Sequence, residues 1–159
     1  MILSRKMISA SISGSLFAAL LGIINPNPFG EPIVSIQDYL FSVVSILPIY
    51  MLYSFPAILI YGVLTSMVSD KIGELISSKI RIEKAELILS GILHIMFGLI
   101  LFPVSLGASI LFFITDQILR KRNHNDNWLE AIKSLSLPIT VWFLCIWVVW
   151  IKESLFPDG

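Results

Sequence analysis

His94 is the ionisable side chain nearest the middle of a long apolar run. Gly91 and Gly98, three residues before it and four after, place small residues on its helical face. Two kinds of chemistry suit an imidazole so placed: a neutral ring hydrogen-bonded to a neighbouring helix, or a polar point on a path for a small solute. Asp70 and Asp116 stand at the ends of apolar runs, and Asp116 precedes Arg120 by four residues, a helical pairing distance. Both carboxylates are therefore expected to be solvated or paired at helix ends. A proton or ion relay would call for a deeper carboxylate. No His-x-x-x-His or Cys-x-x-Cys spacing, Gly-rich phosphate loop or Gly-x-Ser-x-Gly elbow occurs, so no catalytic residue, metal ligand or cofactor is assigned and an enzyme is not expected. Cys145 is the one cysteine, which excludes an internal disulfide.

A different pattern concerns packing. Ser11, Ser15, Ala18 and Gly22 recur at i, i+4, i+7 and i+11, a face of small side chains against which another helix can approach closely. The spacing leaves open whether that helix belongs to this chain or to another protein.

The elements that carry these residues follow from composition. The hydrophobic share is 56% and the charged share 14% over 159 residues, with a mean hydropathy of +0.87. Soluble domains carry about 25% charged residues, so the chain reads as an integral membrane protein with the lipid bilayer as its principal partner. Lys and Arg number 11 and Asp and Glu 11. That balance removes any bulk electrostatic case for nucleic acid.

Charge-free runs cover residues 7–30, 39–69, 87–115 and 134–151. A crossing needs about 20 apolar residues, so the first and last runs are one span each. The second, with Pro48 and Pro56, reads as one kinked helix. The third carries Pro103, Ser105, Gly107, Ala108 and Ser109 at its centre, which suits a tight reversal between two short arms. The result is an all-α polytopic transmembrane bundle, a single integral membrane domain over residues 1–159. Its spans are near 7–24, 39–69, 87–102, 104–119 and 135–151, with a four-span arrangement as the alternative. Charge favours five. With the amino terminus inside, only Lys152 of all the Lys and Arg residues then lies outside, whereas four spans would bring Lys152 inside and place Arg120, Lys121, Arg122 and Lys133 outside.

The apolar run after Arg5 and Lys6 continues into Asn-Pro-Asn-Pro at residues 25–28, so it reads as a retained span rather than a cleaved leader. Between the second and third runs, Ile72, Leu75, Ile76 and Ile80 form a stripe that predicts an interfacial helix over 70–86. Trp128, Leu129, Ile132 and Leu135 predict another, capped by Asp126 or Asn127. Trp142, Trp147 and Trp150, with Tyr39, Tyr50, Tyr53 and Tyr61, suit interfacial belts and packing.

The segment SFPAILIYGVLTSMVSD from Ser54 to Asp70, a basic loop, and LFFITDQILRKR from Leu111 to Arg122 together resemble a family of small, uncharacterised multi-pass membrane proteins of Bacillus and relatives. The resemblance implies a bacterial cytoplasmic-membrane location and transfers no activity, ligand or functional residue. Two functions remain open at this level. One is non-catalytic association within the membrane, with a second copy or a partner protein, as an accessory, regulatory or immunity-type factor. The other is a small transporter or channel, monomeric or oligomeric, with a path near Gly91, His94 and Gly98.

Overall fold

A computed structural model describes residues 2–30, 32–80, 85–100, 103–122 and 127–155, which are helical apart from short connections. The helices are α1 (Ile2–Ile24), α2 (Ile36–Ala57), α3 (Val63–Ile80), α4 (Ala85–Ile100), α5 (Pro103–Arg122), α6 (Trp128–Ser134) and α7 (Ser136–Leu155). A single π-helical turn, Ile58–Gly62, joins α2 to α3 without a break. Ile2–Ile24, Ile36–Ser78 and Trp128–Leu155 are each long and apolar enough to cross a membrane. Leu87–Ile100 is a shorter apolar helix.

α1 is the central post. Small and hydroxylated residues let neighbours close on it, and its serines stay satisfied in apolar surroundings by bonding back one turn. The Ser9, Ser11, Ser13 and Ser15 hydroxyls donate to the carbonyls of Arg5, Met7, Ser9 and Ser11. The α1 face picked out by spacing is used within the chain. Gly22 lies against Val43 and Ile46 of α2, and Ala18 packs with Leu47 and Met51. Ser11 accepts a hydrogen bond from Ser134 at the end of α6, and Ser15 is half-buried. A second apolar cluster joins Ala10 and Phe17 to Ile58, Val63, Ala108 and Phe112.

α1, the α2–α3 rod, α4 and α5 alternate in direction, and α7 runs antiparallel to α2. Positions 14 and 22 of α1 meet 55 and 43 of α2, and Asp70 of α3 meets Ser90 of α4. Gly91 and Gly98 of α4 meet Phe113 and Ser109 of α5. Lys152 near the end of α7 sits 3.6 Å over the Phe41 ring near the start of α2. The α1–α2 corner is fixed by Tyr39 and Tyr50, whose hydroxyls donate to the Ile23 and Asn25 carbonyls that a helix end leaves without partners. A reciprocal capping box between Ser35 and Asp38 starts α2.

Several expectations need correction. The stretch from Tyr39 to Ser69 is part of one helical rod from Ile36 to Ser78. At about 1.5 Å per residue it spans roughly 65 Å, twice a hydrocarbon core of roughly 30 Å. The segment after Asp70 therefore continues that rod as the end of α3, and the remainder of the expected interfacial helix, 81–84, lies outside the described residues. Pro48 is absorbed inside α2, while the π turn follows Pro56, whose missing N–H already interrupts the ladder. The two arms expected over 87–102 and 104–119 are present as α4 and α5, but Pro103 opens the second arm and is not the centre of a turn. Ser105 to Ser109 fall inside that helix, because a proline is well tolerated at a first helical position. Asn127 precedes α6 without a side-chain cap, and Asp126 lies outside the described residues. On α6 the buried residue is Ala131, and Trp128, Leu129 and Ile132 all face outward.

Candidate functional site

At the end of the bundle where α1 begins, four ionisable side chains from three helices converge. The Lys6 side chain is fully buried. Its ammonium uses three contacts: Ser66 Oγ at 2.5 Å, Asp70 Oδ2 at 2.6 Å and Asp116 Oδ2 at 3.1 Å. Three donors meet three acceptors, the full capacity of an ammonium group. Arg5 Nε donates to Asp116 Oδ1 at 2.9 Å. Ser9 is 3.3 Å from the same oxygen, and Ser90 donates to Asp70 Oδ1 at 2.8 Å. Two cations and two carboxylates cancel, so no net charge is buried. An unpartnered ion there would cost several kcal/mol.

Of the two expectations for Asp70 and Asp116, solvation or pairing, the cluster shows pairing, with cations of α1. Asp116 is 2% exposed and held by α1, more than a hundred residues away in sequence. Arg5 and Lys6 likewise serve as bundle ties in addition to being flanking positive charges. The cluster leaves a trace in sequence. Ser9 and Ser13 follow Lys6, and Ser109 and Ser105 precede Asp116, each at whole-turn spacing. A polar stripe leading from a charge into an apolar helix marks a face that meets other polar groups.

One helical turn past Ser90, His94 is 4% exposed. Its Nδ1 lies 2.9 Å from the Ser90 carbonyl, so Nδ1 carries the proton and, in the neutral ring, Nε2 presents a lone pair. The ring lies between Phe112, at 6.2 Å between centroids, and Phe113, at 5.1 Å. Nε2 has no hydrogen-bond partner among the described residues. Gly91 and Gly98, expected on the same face, both contact α5, so all three residues lie at the α4–α5 seam.

His94 lines an open-sided cavity of about 350 Å³ formed by six segments: Phe17 of α1; Ser54 and Ala57 of α2; Ile58, Tyr61 and Gly62 of the π turn; Thr65 of α3; and the facing sides of α4 and α5. α4 and α5 contribute Gly98, Val104, Ser105, Ala108, Ser109 and Phe112 besides His94. The wall is mainly apolar and aromatic. Each hydroxyl in it donates to a main-chain carbonyl: Ser54 to Tyr50, Tyr61 to Phe97, Thr65 to Tyr61, Ser105 to Gly98 and Ser109 to His94.

No family model, curated protein or solved structure matches the chain.

The site combines an apolar cavity with an aromatic wall, a buried imidazole whose Nε2 has no partner among the described residues, and an ion network one helical turn away. Ser90 joins the two, since its hydroxyl holds Asp70 and its carbonyl holds His94. Among the described residues no group of His, Cys, Asp and Glu is placed to hold a metal ion.

Proposed function

We propose that the chain is a five-pass protein of the bacterial cytoplasmic membrane, amino terminus inside, that acts as a small transporter whose solute path runs through the His94 cavity. The observation that carries this reading is the sharing of Ser90 by a buried ion network and an imidazole that lines a ligand-sized cavity. Cavities of roughly 300–1,000 Å³ with a few convergent polar groups are where small molecules bind. Ionisable side chains inside a membrane bundle most often belong to such paths. The network closes the path at the inner end, and the π turn, a local widening of the helix, forms part of the wall. The rival reading, association through Ser11, Ser15, Ala18 and Gly22, loses its motive because that face already packs against α2 and α6.

Five crossings account for the alternating directions of α1, the α2–α3 rod, α4, α5 and α7, and for Lys152 lying at the opposite end from Arg5 and Lys6. In a Cys145→Ser background, single cysteines at Val34 and Leu155 should label with a membrane-impermeant thiol reagent in intact cells, and one at Ser78 only after lysis. Protection of position 155 would reduce the crossings to four.

The transport reading is tested in proteoliposomes with protons, sodium, potassium, chloride, urea and ethanolamine as probes. At least one should move faster than in empty vesicles, and that flux should fall at least tenfold in His94→Ala protein of unchanged thermal stability. Background rates for all six would overturn the reading.

A further inference from the structure

The groove between α2 and α7 ends on charge. Pro48 and Leu52 of α2 and Trp142, Ile146 and Trp150 of α7 line an open-sided groove of about 420 Å³, with Glu153 at its end. From Trp142 to Glu153, α7 rises about 16 Å, close to half of a hydrocarbon core of roughly 30 Å. The exposed Trp150 suits headgroup depth, where indoles concentrate. We infer that the groove holds an acyl chain of a phospholipid with a zwitterionic headgroup that carries a primary ammonium, the chemistry of phosphatidylethanolamine, from the leaflet at the carboxyl end of α7.

Charge at the mouth selects the headgroup. The Lys152 ammonium lies 3.6 Å over Phe41, one turn of α2 beyond Ser45 of the groove wall. Glu153 is exposed, and neither it nor Lys152 has an ion-pair partner among the described residues. Asp38, at the same end, is committed to the capping box that starts α2. One cation and one carboxylate, neither balanced by an opposite charge, thus stand at the mouth of an apolar groove. A zwitterion answers both: its phosphate accepts from Lys152, and its ammonium, with three N–H donors, donates to Glu153. A trimethylated ammonium keeps the charge and loses the donors. A phosphatidylglycerol headgroup brings no cation and sets its negative charge beside the carboxylate.

The site rests on the membrane placement proposed above and not on transport. The probes are phosphatidylethanolamine, phosphatidylcholine and phosphatidylglycerol with identical acyl chains, added at equal mole fraction to the full chain in detergent micelles. Native mass spectrometry reads the occupancy of the first bound lipid. The ethanolamine lipid should bind about threefold to fivefold more tightly than either of the others, the scale of one exposed ion pair. In Glu153→Gln its preference over phosphatidylcholine should vanish. In Lys152→Gln all three lipids should bind more weakly while that preference persists.

Leu52 is exposed and lines the groove, so Leu52→Trp should obstruct the acyl chain and lower all three occupancies at unchanged thermal stability. Equal binding of the three lipids by the parent is ordinary annular contact and would overturn the assignment. So would an ethanolamine preference that survives Glu153→Gln, or a dimer without bound lipid, which seats a second copy in the groove. The cysteine labelling separates the site from the topology. No headgroup preference, with positions 34, 78 and 155 labelling as expected, removes the site alone. Preference with position 155 protected keeps the site and moves it to the inner leaflet.

Discussion

Lys6→Met should destabilise the bundle by about 3–5 kcal/mol, the cost of removing one partner from a buried ion pair. The variant leaves Asp70 and Asp116 with Arg5 as their one remaining cation in the network, and it withdraws the donor that reaches Ser66. Asp116→Asn should be similarly costly, because Arg5 and Lys6 then share a single carboxylate. The double variant restores the charge balance and should be less damaging than the two single effects added together, by roughly 1–3 kcal/mol. Lys71→Met, one residue from Asp70 but exposed, should fall within about 0.5 kcal/mol of the parent. Unfolding in mixed micelles, followed by tryptophan fluorescence, reads all four. Lys6→Met unfolding with the parent would mean that the ammonium is not buried among carboxylates in the folded protein.

The network also shows where sequence reasoning stops. Apolar runs, prolines and the partition of basic residues were enough to anticipate an all-helical bundle, the small face of α1 and the grouping of Gly91, His94 and Gly98, because each is a local periodicity. The cations that tie Asp116 to another helix are not local: Arg120 at i+4 is the nearest candidate in sequence, and Arg5 and Lys6 come from α1. Pairing of that kind depends on which helices become neighbours, and periodicity is silent on it. The α2–α3 rod failed for a related reason: charges after Ser69 suggested a new element, whereas a helix continues through charged residues once nothing in its backbone stops it. Gly73 did not stop it either, since one interior glycine costs only about 1 kcal/mol.

The cavity was half legible. His94 stood out as an ionisable residue in an apolar run, but the reading that favoured a hydrogen-bonded ring explains one nitrogen only. Nδ1 has its carbonyl and Nε2 has none. An unsatisfied buried polar atom costs about 1–3 kcal/mol. The open walls come from the π turn opposite and from small residues on α5, Ala108 and Ser109, which had been assigned to a reversal.

Gly98→Val should destabilise the protein by about 3 kcal/mol, and Gly98→Ala by about 1–2, whereas Gly62→Ala should be neutral or slightly stabilising. The three glycine substitutions share a gain in helix propensity, roughly 0.5–1 kcal/mol for alanine and less for a β-branched side chain. They differ in what the new carbon meets. At Gly62 a Cβ would lie 3.6 Å from Ile58 and Phe112, ordinary contact. At Gly98 it would lie 2.7 Å from the Ser109 Cβ and 3.3 Å from the Leu106 Cα, and neither can yield without moving the α5 backbone. Forced separation of packed elements costs about 1–3 kcal/mol, and more for a larger group. The separation also draws Ser109 from the His94 carbonyl and Ser105 from the Gly98 carbonyl, so the same substitution disturbs the cavity wall. Gly98→Ala should thus cost stability, while Gly62→Ala leaves it intact. Thermal unfolding of the pair in one detergent decides it: equal midpoints would show that α4 and α5 do not meet at Gly98.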